Sequence, residues 1–258
     1  MVAAFPVAGA WRVHTRRGAL MPRPVDLDKS DDWNRFEVLK PEPAAPLPAR
    51  IVPGSVYSAT ERRAAYAEVL AHMRWPRNEA LDALAAEVFG TGSDTPVTDE
   101  WDELGFDPPG VVDADWIPRR QISRLGHRPE QEVSYVDVEH HESMATLNVV
   151  CKNLLIRCKA IPLSASLLRS TRRDLTCGIS TEIATCALPL ATGRRAAGFR
   201  YFSQHSTAWE CWVTWPTLSY SDLQVDDTQD VARDDEDLVY ILDLFHLHVA
   251  GSGSASQI

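Results

Sequence analysis

The sequence predicts a single mixed α/β domain of the α+β kind over residues 1–250, on three observations. Strand-like and helix-like stretches interleave without a repeated βα unit or any internal repeat. The composition, 45% hydrophobic and 24% charged over 258 residues, is that of a globular chain with enough apolar material for one large core. Two runs of strand composition, 197–203 and 209–215, are separated by a short polar connection, which predicts paired strands.

Residues 1–60 are irregular, because Pro22, Pro24, Pro41, Pro43, Pro46, Pro48 and Pro53 interrupt any long hydrogen-bonded run. They leave room for short elements such as a strand over 10–14. A second short strand is expected over 55–59, and Thr60 then caps a helix over 61–74 that Pro76 stops. On that helix Ala64, Ala65, Glu68 and Ala71 share a face, so a lone carboxylate sits among small side chains, an odd setting for a solvated Glu. A further helix is expected over 78–89, ended by Gly90, which opens an acidic Gly/Pro/Asp-rich insertion around 90–115. Order resumes at Trp116. A strand over 133–138 leads into a helix over 142–159, whose apolar face carries Met144, Leu147, Val150, Cys151, Leu154 and Leu155. Another helix covers 179–188. Past the paired strands, 222–237 is densely acidic, 238–249 is apolar, and 251–258 reads as a disordered tail.

A net charge of −10 makes the average surface field repel phosphate backbones, which argues against nucleic-acid binding. The charge is partitioned: 1–80 and 151–221 are net positive, while 81–150 and 222–258 carry the acidic excess. No stretch approaches the roughly 18 apolar residues of a membrane span, and the apolar start is broken by Pro6 and stopped by Arg12. Neither a signal peptide nor a membrane helix is expected. Cys151, Cys158, Cys177, Cys186 and Cys211 form an odd set without a CxxC pair, read as reduced, mostly buried thiols of a cytoplasmic protein. His140, His141, His246 and His248 lack further ligands at metal spacing, so no metal is expected. Nucleophile-elbow, phosphate-loop, dinucleotide-fingerprint and zincin signatures are all missing.

What remains is a scattered set: Arg12 in Trp-Arg-Val-His, Arg35 in Asn-Arg-Phe-Glu, Tyr57 in Val-Tyr-Ser-Ala, Glu68 in Tyr-Ala-Glu-Val-Leu, and Ser203 ending Gly-Phe-Arg-Tyr-Phe-Ser. With Tyr135-Val-Asp-Val and Glu210-Cys-Trp in the same order, this pattern resembles the RES-domain family over nearly the whole chain. It departs from the family at Arg35, which stands in Asn-Arg-Phe instead of the common glycine-flanked form, and in the acidic insertion.

The resemblance implies an ADP-ribosyltransferase-like fold, a central split β-sheet flanked by helices, working on NAD+. It further implies a bacterial toxin whose antitoxin is a separately encoded helix-turn-helix protein. NAD+ carries a cationic nicotinamide that leaves as a neutral base, so the barrier lies in forming a ribosyl oxocarbenium ion. Glu68 would stabilise that cation as carboxylates do in glycoside cleavage. Arg12 and Arg35 would hold the pyrophosphate through bidentate contacts. Tyr57 would offer its ring to nicotinamide or its hydroxyl to the ribose, and Ser203 a small donor to the ribose or to an incoming inorganic phosphate. The acceptor stays open between water and phosphate, with protein mono-ADP-ribosylation as the alternative enzyme reading and a non-catalytic partner-binding domain as the alternative class. Arg12 and Arg35 as structural ion-pair residues, Tyr57 as a strand aromatic and Ser203 as a turn hydroxyl also stay open, as does the choice between phosphate contact and a plain surface role for Arg200 and His205, which flank Ser203. A homo-oligomer is left open too.

Overall fold

The computed structural model describes residues 1–30, 33–39, 51–74, 110–128, 133–185, 190, 195–215 and 222–250. The helix expected over 78–89, most of the acidic insertion, Cys186 and the tail 251–258 lie outside the described residues.

The strands, in chain order, are β1 (Val2–Ala3), β2 (Ala10–Thr15), β3 (Val25–Asp26), β4 (Ile51–Val52), β5 (Val56–Ala59), β6 (Val111–Val112), β7 (Arg120–His127), β8 (Tyr135–Asp137), β9 (Gly198–Phe202), β10 (Glu210–Thr214), β11 (Leu223–Asp230) and β12 (His248–Val249). The helices are α1 (Arg62–Leu70), α2 (His141–Val150), α3 (Lys152–Arg157), α4 (Ala165–Leu168), α5 (Arg173–Thr185) and α6 (Glu236–Phe245), with a 3-10 turn at Ala71–Met73. The mixture is α+β. The chain divides into two compact units, Met1–Ala65 with Gln121–Gln229, and Tyr66–Arg120 with Asp230–Ile258.

The first unit is built on one eight-stranded sheet of order β1-β8-β9-β10-β5-β2-β7-β11. The paired strands read from the sequence are β9 and β10, antiparallel with Trp212 opposite Arg200. Strand β10 also pairs antiparallel with β5, and β8 runs parallel to β9. Alternation along β9 sends Phe199 and Tyr201 into the core and leaves Arg200 and Phe202 half-buried. Two aromatic knots hold the sheet faces: Phe5, Tyr135 and Trp212 pack with ring centres 5.2–5.6 Å apart, and Phe199 packs edge-on between Phe36 and Trp215.

Three local expectations change. The single helix over 142–159 is two helices, because Cys151 leaves helical geometry at φ −92, ψ 14, and Lys159 at φ 51 ends the second. The Thr60 hydroxyl donates to Glu210 Oε1 and accepts from Trp212 Nε1, and α1 begins two residues later. The last helix of the sheet unit starts at Arg173, earlier than 179.

The acidic stretch 222–237 divides between two roles. In the first unit, β11 is a sheet edge, and its Asp226 is exposed where charge discourages pairing with another chain. In the second unit, Asp235 caps α6 by accepting from Asp237 N and Leu238 N, while Glu236 and Asp237 sit at the positive end of the helix dipole. That unit also holds Tyr66, fully buried with its hydroxyl donating to Asp235 at 2.8 Å, and Arg74, which lies 4.3 Å over the Phe245 ring. Its two short strands, β6 and β12, run parallel.

Candidate functional site

Residues 33–39 of the first unit form an irregular segment packed on the sheet through Phe36, so its backbone groups need partners other than a strand ladder. They find them in side chains. Phe36 N donates to the Tyr57 hydroxyl at 3.0 Å, Leu39 N to Thr181 Oγ1 at 2.9 Å, and the Asn34 carbonyl accepts from Cys177 Sγ at 3.1 Å. Burial pushes the Cys177 thiol up to about 12, so it stays protonated and able to donate. Phe36 is fully buried, with its ring centre 4.9 Å from that of Tyr201.

This segment carries Arg35 into the protein. Arg35 is 6% exposed, and its guanidinium lies 4.4 Å from the centre of the Tyr201 ring and donates through Nη2 to the Phe202 carbonyl at 3.4 Å. Its Nη1 is buried with no hydrogen-bond partner among the described residues. A buried donor without an acceptor costs free energy, and an oxygen ligand is the natural remedy.

Arg12 comes from β2 and Tyr57 from the neighbouring β5. Arg12 Nη1 donates to the Tyr57 carbonyl at 3.2 Å. Tyr57 is half-buried, and desolvation together with the nearby Glu37 charge raises its phenol well above 10. It is therefore a neutral hydrogen-bonding group at any ordinary pH. Ser203 follows β9 at 1% exposure. Its N–H donates to the Trp209 carbonyl at 2.9 Å, and its Oγ accepts from His205 N at 3.1 Å, which makes it part of the turn between β9 and β10.

Arg12, Arg35 and Tyr57 are thus gathered around one segment, with Ser203 one residue beyond the carbonyl that receives Arg35. Glu68 belongs to the second unit, half-buried on α1 near the fully buried Ala67 and Leu70. Arg200 is engaged on the other face of β9: Nη1 donates to Asp137 Oδ2 at 2.7 Å and Nε to Glu210 Oε2 at 2.8 Å. Held by two carboxylates, it is no spare phosphate ligand.

The residue that sequence reasoning missed is Glu37. Its side chain is 0% exposed, and both carboxylate oxygens are occupied: Oε1 by Asn34 Nδ2 at 2.7 Å and Oε2 by Ser55 N at 2.8 Å. Burial raises its pKa, and the hydrogen bonds and the Arg12 charge pull the other way. The signal available was Asn34 three residues ahead of Glu37, the spacing of a side-chain clasp.

Among the described residues, no group of three or more His, Cys, Asp or Glu side chains is arranged to hold a metal ion, and no helix is long and apolar enough to cross a membrane. No family model, curated protein or solved structure matches the chain.

Proposed function

We propose that this chain is an NAD+-consuming enzyme that cleaves the nicotinamide–ribose bond, acting as the toxin of a bacterial toxin–antitoxin pair in the cytoplasm. The observation that carries the proposal is the gathering of Arg12, Arg35 and Tyr57 about residues 33–39, with a buried guanidinium N–H still lacking an acceptor. Two guanidiniums, one of them against the Tyr201 ring, suit a dinucleotide, whose pyrophosphate is anionic and whose bases and sugars are not.

In this reading Arg12 and Arg35 bind the pyrophosphate and Tyr57 meets the nicotinamide riboside; Glu68, a residue of the second unit, takes the role of stabilising the ribosyl cation from the sequence resemblance alone. The C1′–N bond breaks with its electron pair going to nicotinamide, which leaves neutral. An oxygen of water or inorganic phosphate then bonds to C1′, and a proton passes to solvent. Ser203 orients that acceptor or the ribose. The finer fold assignment, the RES form of the ADP-ribosyltransferase fold, belongs to the same reading, and so does a separately encoded helix-turn-helix antitoxin.

Incubating purified protein with NAD+, with and without phosphate, beside Glu68→Ala and Arg35→Ala variants tests it. Release of nicotinamide by the native chain and its loss in both variants is expected; equal NAD+ loss in all three, or none in any, refutes it. Label from NAD+ left on a macromolecule would select ADP-ribosylation. The burial of Arg35 and Ser203 favours a non-catalytic partner-binding domain, in which both residues support the fold. An absence of both NAD+ binding and turnover would decide for it.

A further inference from the structure

Resting on that reading, we infer that Glu37 is a positioning residue, the clasp that holds Arg35 in place for the anionic ligand. Arg35 and Phe36 form a turn outside the sheet, so the backbone that carries the guanidinium to the Phe202 carbonyl and the Tyr201 ring is not itself fixed by a strand ladder. Glu37 closes that turn from both sides. Its Oε1 takes Asn34 Nδ2, spanning Arg35 and Phe36, and its Oε2 takes the Ser55 amide just before β5, tying the turn to the sheet.

The chemistry of the choice matters. A wholly buried carboxylate is a poor filler, since an apolar side chain of that volume carries no desolvation penalty. What it supplies is two acceptor oxygens at fixed spacing, one for the Asn34 side-chain N–H and one for the Ser55 backbone N–H. Arg12 faces it from β2, Tyr57 from β5 and Cys177 from α5, and none of these replaces either bond. A glutamine at this position keeps the shape and an acceptor for Ser55, and its NH2 meets Asn34 Oδ1 once the Asn34 amide turns over, whereas a leucine of similar volume leaves both donors buried and unpaired.

The bonds can be removed and returned. In Glu37→Leu both acceptors are lost; in Glu37→Gln the side-chain oxygen accepts from Ser55 N and the NH2 donates to Asn34 Oδ1 once that amide turns over, so both bonds return without the charge. Steady-state NAD+ loss by the native chain and both variants reads the effect, with amide exchange at Phe36 and Ser55 as a second readout independent of turnover. The expected result is a KM raised about tenfold or more in Glu37→Leu with kcat within about twofold, as loss of buried hydrogen bonds beside a binding group implies, and recovery in Glu37→Gln. Exchange at Ser55 and Phe36 should quicken in Glu37→Leu and stay near native in Glu37→Gln. An unchanged KM in Glu37→Leu, or a loss that Glu37→Gln does not restore, overturns the inference. If the native chain consumes no NAD+, the proposed function fails on its own account, and the exchange data alone then decide whether Glu37 clasps the turn: no quickening in Glu37→Leu refutes it, and quickening in Glu37→Leu that is absent from Glu37→Gln sustains it.

Discussion

The guanidinium of Arg35 rests 4.4 Å from the centre of the Tyr201 ring, so the cation is held by an aromatic face and not by a carboxylate. No ion pair of Arg35 occurs among the described residues. A cation solvated by a π face keeps its full charge for an incoming anion, whereas one neutralised by an acid does not. Removing the ring should therefore weaken both fold and ligand binding. In a double-mutant cycle of Tyr201→Leu with Arg35→Met, urea unfolding is expected to give a coupling energy of about 1 kcal/mol, intermediate between exposed and desolvated cation–π pairs. Tyr201→Phe, which keeps the ring, should show little coupling loss.

Tyr57 acts on the same turn through its hydroxyl. Tyr57→Phe leaves the ring in place but strips the Phe36 amide of its acceptor, at an expected cost of about 1–3 kcal/mol for a buried unpaired donor. Urea denaturation measures the loss, and it should come with faster exchange at the Phe36 amide. A change below about 0.5 kcal/mol would mean that water or another group takes over the bond.

The strand pair β9–β10 is legible in the sequence because Phe199 and Tyr201 alternate with Arg200 and Phe202, and the turn between them is short and polar. Strand β7 is not legible: Ile122, Ser123 and Leu125 are all fully buried, a spacing that breaks the period of two. Strand β11 hides behind its acids, since five of its eight residues are exposed at a sheet edge and no apolar alternation marks it. At the candidate site, Arg12, Arg35, Tyr57 and Ser203 could be named from residue type and order. Glu37 could not. A glutamate in a proline-rich, irregular stretch reads as solvated, and its burial is decided by Ser55 and by the α5 residues Cys177 and Thr181, far along the chain.

Two glycines separate backbone crowding from side-chain crowding. A Cβ on Gly198 would lie 1.7 Å from the Val213 carbonyl oxygen on the paired strand, and neither backbone can yield without breaking the β9–β10 register. Gly198→Ala is expected to destabilise by about 3 kcal/mol or more, or to prevent folding. A Cβ on Gly178 in α5 meets only the Leu154 side chain, its methyls at 2.8 and 2.9 Å and its Cγ at 3.4 Å, and the close contacts are with the methyl ends, which a rotamer change can move aside. Alanine there also gains about 1 kcal/mol of helix propensity, so Gly178→Ala should fall within about 1 kcal/mol of the native chain. Thermal unfolding of the two variants side by side checks the contrast.

Glu37 and His127 should shape the pH dependence of stability with opposite signs. The folded chain raises Glu37 above its ordinary 4.5 through burial, so between 4.5 and the raised value the native state binds more protons than the unfolded one. Its contribution to stability is complete below 4.5 and is lost as pH rises through the folded value. His127 behaves in reverse. Burial lowers it below 6.5, and its neutral ring is fixed between the Asp222 carbonyl at Nδ1, 3.1 Å away, and the Tyr135 hydroxyl at Nε2, 2.9 Å away. Nδ1 must donate to the carbonyl, so Nε2 accepts from Tyr135, whose phenol burial holds protonated. Charging the ring would turn that acceptor into a donor. The His127 contribution is therefore present above 6.5 and lost as pH falls toward the depressed value. Urea unfolding of the native chain, Glu37→Gln and His127→Asn from pH 4.5 to 7.5 separates the two. The stability difference, native minus Glu37→Gln, should fall with rising pH, while native minus His127→Asn should climb and level off above 6.5. Parallel curves for either variant would show that the residue keeps its ordinary pKa in the folded protein.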